Sequence, residues 1–235
     1  MKKSNVVGVA LVATVCGFVT INQANAQTGF GTIPGASGNP YSGSGIPFNT
    51  SEYSQISAGW DTLTLAMAAT QHGSVNPAPG NNGAGTYTVN PGLVLDPVHL
   101  RSTWNFDFYV NSSQGVLSDY TFALVETANG HTFSFNPGLI PDNVPHLSPS
   151  TMGNSESLDF ASFGAPIAYN PNANDTYHFE LDAFLNGNEI GSDRITVIAG
   201  TGAAPDGGST LFLLGFGLAG LALLAFRQNR IQDVK

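Results

Sequence analysis

The chain has 235 residues, 42% of them hydrophobic and only 10% charged, with a formal charge of −9 and one cysteine, Cys16. Lys2, Lys3, Arg227, Arg230 and Lys235 sit at the two ends, so residues 27–203 hold only Arg101 and Arg194 against fourteen carboxylates, a formal charge of −12. No basic patch exists there to meet nucleic acid or anionic lipid, and a body without cysteine has no disulfide and no thiolate metal site.

At the N-terminus, Lys2 and Lys3 precede the apolar stretch Val6–Ile21 and an A-x-A site, Ala24-Asn25-Ala26, ahead of Gln27. This is the pattern of a secretory signal peptide over residues 1–26, so signal peptidase is an expected partner and the mature chain is expected to begin at Gln27. Ala13-Thr14-Val15 before Cys16 makes a poor lipoprotein box, because a small residue belongs just ahead of such a cysteine. Residues 27–55 are rich in Gly, Ser, Pro and Asn, with Pro34-Gly35, Asn39-Pro40 and Ser42-Gly43-Ser44-Gly45 marking turns, and read as a loose segment lying over the domain.

Residues 56–203 read as one β domain. Trp104, Phe106, Phe108 and Val110 alternate with Asn105, Asp107 and Tyr109, as do Tyr120, Phe122 and Leu124, and Tyr177, Phe179, Leu181 and Ala183 opposite His178, Glu180 and Asp182. Period two is the mark of half-buried strands. Leu63, Leu65 and Met67 give a weaker instance. Asn129-Gly130 predicts a tight β-hairpin, Asn186-Gly187-Asn188 one with a longer loop, and the proline-rich run 136–157 a long loop or edge segment. With no long amphipathic helix, the fold class is all-β, an antiparallel β-sandwich of immunoglobulin-like or jelly-roll-like shape, with a closed barrel as its competitor.

Chemistry-bearing motifs are sparse. There is no G-x-S-x-G, no H-E-x-x-H, no Walker loop and no cysteine nucleophile, so no catalytic residue is assigned and the chain reads as a non-enzyme. Gly215-Phe216-Gly217-Leu218-Ala219-Gly220 spells G-x-G-x-x-G, but inside an apolar run with no βαβ unit around it. His72, His99, His131, His146 and His178 are too dispersed to share a face by local spacing. Glu180 and Asp182 share a strand face about 7 Å apart, a spacing that ordinary wet strand faces also show. Asp175, Glu180 and Asp182 form the candidate Ca²⁺ set beside Asn170, Asn172 and Asn174, with Asp193 on the strand expected to pair alongside; the D-x-[DN]-x-[DN]-G loop is absent, and no cofactor is otherwise implied. Tyr41, Tyr53, Tyr87 and Tyr109 are candidate stacking residues for a sugar.

The last 32 residues form three parts: Ala204-Pro205-Asp206-Gly207-Gly208-Ser209-Thr210, an uncharged run Leu211–Phe226, and a tail 227–235 that carries Arg227 and Arg230. As a helix, 16 residues span about 24 Å against a hydrocarbon core of roughly 30 Å, short for a permanent anchor. Its seven Leu and three Phe still favour insertion by about 3 to 6 kcal/mol, with the arginines held in the cytoplasm and everything before Leu211 outside.

This tripartite end resembles the PEP-CTERM class of bacterial sorting signals, in the variant Val-Pro-Asp-(Ser/Gly)-Gly-Ser-Thr. Ala204 stands in place of Val, and Arg227-Gln228-Asn229-Arg230 is a thinner basic cluster than many members carry. The resemblance implies handling by an exosortase, a membrane transpeptidase-like protein that cuts near the motif, often in bacteria that make exopolysaccharide. The expected function is thus that of a non-enzymatic envelope or extracellular-matrix protein, held at the inner membrane with its body outside, then moved to the surface or matrix. The rival expectation is a carbohydrate-binding module or a glycan-active enzyme.

Overall fold

Two six-stranded sheets face each other in a computed structural model that describes residues 26–36, 41, 47–72, 79–140 and 146–200. The expected signal peptide up to Asn25, the 204–210 motif, the 211–226 run and the basic tail lie outside these residues. In spatial order the first sheet runs β1 (Ala26–Gly31), β2 (Ser51–Ala58), β3 (Asp61–Gln71), β8 (Trp104–Ser112), β12 (Thr151–Glu156) and β11 (His146–Ser148). The second runs β10 (His131–Phe135), β9 (Tyr120–Ala128), β13 (Asp175–Leu185), β14 (Asn188–Ala199), β5 (Thr86–Val89) and β4 (Gly80–Asn81). A separate hairpin pairs β6 (Leu93–Asp96) with β7 (His99–Ser102). Neither sheet closes on itself, so the barrel falls away, and all pairs are antiparallel except β14 with β5.

The core is the meeting of the two period-two faces. Phe106 of β8 stacks on Phe179 of β13 with ring centroids 4.9 Å apart, and Trp104 meets Tyr177 at 5.2 Å. Leu63, Leu65 and Met67 on β3 and Leu181, Ile195 and Val197 on β13 and β14 fill the space between, each fully buried. Each such side chain contributes about 1.5 to 3 kcal/mol on leaving water, which makes this layer the main source of stability.

Three expectations change. Residues 27–55 are not all loose chain: β1 pairs with β2 from Ala26↔Ile56 to Gly31↔Ser51, while Ile33 and Tyr41 are buried. The face of β8 that carries Asp107 and Tyr109 is consequently covered rather than wet. Tyr41, hydrogen-bonded to Ser51 at 2.6 Å, its phenol pushed up first by burial and then by the nearby Asp107 carboxylate, forms part of the cover. Next, the run expected as a long loop or edge segment is not loop throughout: it supplies β11, at the edge of its sheet, and β12, which pairs with β8 from Thr151↔Asn111 to Glu156↔Phe106. Its interior polar residues are paired, the Asn154 amide donating to Glu156.

The turns carry the third change. Asn129-Gly130 joins β9 to β10 with φ of 54° and 75°, the expected tight hairpin. Asn186-Gly187 proves equally tight, with φ of 53° and 78° between the paired Leu185 and Asn188, so the longer loop is not formed. Both turns need positive φ at two positions, which Asn and Gly adopt at least strain.

The sandwich has two distinct ends. One holds the start of β3 at Asp61, the 113–119 loop and the Asn186-Gly187 turn. The other holds Gln71, Trp104, the Asn129-Gly130 turn, the β6–β7 hairpin and Gly200, where β14 runs out.

Candidate functional site

β2 and β3 are joined by the two-residue turn Gly59-Trp60 between the paired Ala58 and Asp61. Gly59 alone takes a positive φ, 65°, as the first position of a II′ turn requires. A two-residue turn gives its second side chain no route back to the core, and Trp60 is left 68% exposed.

Beneath it, buried Asp61 organises the neighbouring loop. Its Oδ2 accepts hydrogen bonds from Ser112 Oγ at 2.6 Å and Tyr120 Oη at 2.7 Å, and its Oδ1 from Ser113 Oγ at 3.0 Å and the Gln114 backbone N–H at 3.1 Å. Burial by itself would raise the Asp61 carboxyl, but these four donors outweigh it and hold the group below its ordinary value of 3.8. Burial and the facing Asp61 charge push the Tyr120 phenol up, so it stays a donor. Gly115 lets the loop pass close to the indole: a Cβ there would lie 3.6 Å from Trp60 Cη2 and 2.7 Å from Ser112 Oγ.

The result is a polar cleft of about 450 Å³ lined by Ala58, Trp60, Ser118, Asp119, Tyr120, Leu185 and Asn186. A second, more apolar cleft of about 590 Å³ adjoins it across Ser118 and Tyr120, with Leu117, Phe122, Leu139, Pro149 and Met152 among its walls. An exposed indole face beside a hydroxyl, a carboxylate and an amide suits a ligand with an apolar face and a polar edge, the chemistry of a pyranose ring.

The sites expected from sequence fare differently. Tyr41, Tyr87 and Tyr109 are buried, because the first faces the covered side of β8, the second the sandwich interior, and the third the same covered side as Asp107. Tyr53 is half-buried with its ring against Gly29. Among the described residues the aromatic that stands exposed is instead Trp60.

The calcium set is also dispersed. Glu180 and Asp182 lie together on the outer face of β13, but Asp175 falls on the opposite strand parity, five residues away, with its Oδ1 accepting from the Thr176 backbone at 2.7 Å. Glu180 is bound by Arg194, whose Nε approaches to 2.7 Å. Burial and then the Glu180 charge push the Asp182 carboxyl up to about 6. Asp193 points to the sandwich interior, where Ser54 donates to it at 3.2 Å. Among the described residues no group of three or more His, Cys, Asp or Glu is placed to hold a metal ion.

Of the expected processing residues, Ala26 and Gln27 begin β1 at the Trp60 end, since Ala26 pairs with Ile56. Ala24, Ala204–Thr210, Arg227 and Arg230 lie outside the described residues. No protein family, no curated protein and no solved structure matches the chain.

Proposed function

We propose that this chain is a non-enzymatic exported protein of the cell envelope or extracellular matrix, a sandwich of immunoglobulin-like or jelly-roll-like general shape that binds exopolysaccharide at the Trp60 cleft. Signal peptide 1–26 takes the body across the inner membrane. The 211–226 run holds it there until an exosortase acts at Ala204–Thr210. One observation carries the display half of this reading: β14 starts at Asn188, after the Asn186-Gly187 turn beside Trp60, and ends at Ala199, 11 residue steps or about 36 Å away. A chain tethered through residue 200 therefore presents Trp60 from its far end.

The rival reading of a carbohydrate-binding module shares this cleft, whereas hydrolysis finds less support. Among the described residues Asp119 is the one carboxylate that lines the cleft, and glycoside hydrolysis ordinarily uses a pair.

The test uses the chain's two tryptophans. Trp104 is only 2% exposed, so a ligand-dependent change in emission reports Trp60. Titrating the exporting bacterium's own exopolysaccharide into the mature protein should shift the emission saturably, and Trp60→Ala should abolish the shift while leaving the fold. An unchanged spectrum at saturating polysaccharide refutes the glycan half; unchanged size and location after loss of the exosortase refutes the sorting half.

A further inference from the structure

The β6–β7 hairpin carries its leucines outward. In its register Leu93 pairs with Ser102, Val94 with Arg101, Leu95 with Leu100 and Asp96 with His99, so paired side chains share a face. The other face makes the polar contacts to the sandwich: Asp96, half exposed, meets His72 Nε2 at 2.6 Å, and Arg101, half-buried, binds Asp159 at 3.2 Å and lies 4.5 Å over the Phe160 ring. The apolar face turns to solvent, with Leu95 65%, Leu100 60% and, at the turn, Val98 75% exposed. Of the seven large hydrophobic residues exposed among the described residues, this hairpin holds four, Leu93 included. A two-stranded hairpin is marginal in water by itself, and one held by polar contacts while it exposes paired leucines is built to meet an apolar surface.

Where the chain leaves the sandwich says which surface. The Gly200 backbone N–H donates to Val89 O at 2.8 Å, and a Cβ on Gly200 would lie 3.3 Å from Pro91 Cγ. Pro91-Gly92 leads directly into Leu93, so the root of the hairpin and the exit of β14 are neighbours. Ten residues separate Gly200 from Leu211 and span at most about 36 Å, while the hairpin extends about 13 Å from its root. The geometry points to a lipid-contact role: Leu95, Val98 and Leu100 enter the interfacial region of the bilayer that receives the 211–226 run, docking the sandwich with Trp60 facing away. This inference rests on that run being inserted in the membrane. The body's charge of −12 directs it to zwitterionic rather than anionic lipid.

The mature chain, Gln27–Lys235, has no cysteine, so single-cysteine variants take one environment-sensitive fluorophore each. Val98→Cys reads the hairpin, Ala219→Cys the apolar run, and Ser57→Cys, exposed near the Trp60 turn, the far end. In phosphatidylcholine vesicles that contain nitroxide-labelled lipid, the probes at 98 and 219 should shift to the blue and be quenched severalfold, and the probe at 57 should do neither. If 219 is quenched while 98 behaves like 57, the hairpin inference is overturned and the membrane reading of the tail stands. If 219 is not quenched, both fall. A blue-shifted but unquenched probe at 98, with cross-linking between copies, assigns the hairpin to self-association and overturns lipid contact.

Discussion

Glu126 offers the sharpest test of the packing. On β9 it stands in register with Phe133 of β10 and Phe179 of β13, fully buried, with neither carboxylate oxygen hydrogen-bonded among the described residues. Burial pushes its carboxyl up from 4.5 to about 8, so the folded chain keeps a proton that the unfolded chain releases near pH 4.5. Stability is therefore lost as pH rises from about 4.5 to 8 and levels off above that. A shift of some 3.5 units at 1.36 kcal/mol each is about 5 kcal/mol. Glu126→Gln removes the titration with little change of shape. Calorimetry of wild type and variant from pH 4 to 9 should show the variant gaining steadily on the wild type, to a Tm lead of about 10 to 20 °C at the alkaline end. Two curves that stay parallel across that range would refute the burial of an ionisable, unpaired Glu126.

Other perturbations probe the remaining pieces. Asp61→Ala strips four hydrogen bonds from the loop under the cleft and leaves the Tyr120 hydroxyl without its acceptor, a loss of about 3 kcal/mol readable in urea denaturation. Because the folded Asp61 carboxyl lies below 3.8, its contribution is present above that pH and disappears as the pH falls further, which urea midpoints between pH 2 and 5 should show for wild type but not Asp61→Asn. Gly164→Ala would drive a Cβ into the Leu158 carbonyl oxygen and to within 2.9 Å of Tyr169 Cβ, so it should destabilise by at least about 2 kcal/mol, against near neutrality for Trp60→Ala.

Much of the fold was legible because burial and alternation coincide in β8, β9 and β13, and because Asn-Gly dipeptides announce two of the hairpins. Legibility failed where the buried face is polar. In β2 the inward Ser54 is matched to Asp193 of the opposite sheet, and in β12 Asn154 is matched to Glu156. Such pairs bury polar side chains against each other, so a hydrophobic pattern cannot register them. Missing β2 also hid the cleft. Gly59-Trp60 carries the glycine-first signature of a II′ turn, but it reads as a turn only once a strand stands on both sides of it. The tyrosines misled for the opposite reason: composition shows that an aromatic is present, and the layer into which it folds decides whether a ligand can reach it.

The central claim is that a globule outside the cytoplasm is tethered from its Gly200 end by a membrane-inserted, enzymatically processed tail. Intact-mass measurement on fractionated cells of the exporting bacterium tests it most directly. The account predicts a membrane-bound form running from Gln27 to Lys235 and a surface or matrix form that begins at Gln27 and ends near Thr210. A full-length chain from Met1 to Lys235 recovered from the cytoplasm as the dominant species would contradict it.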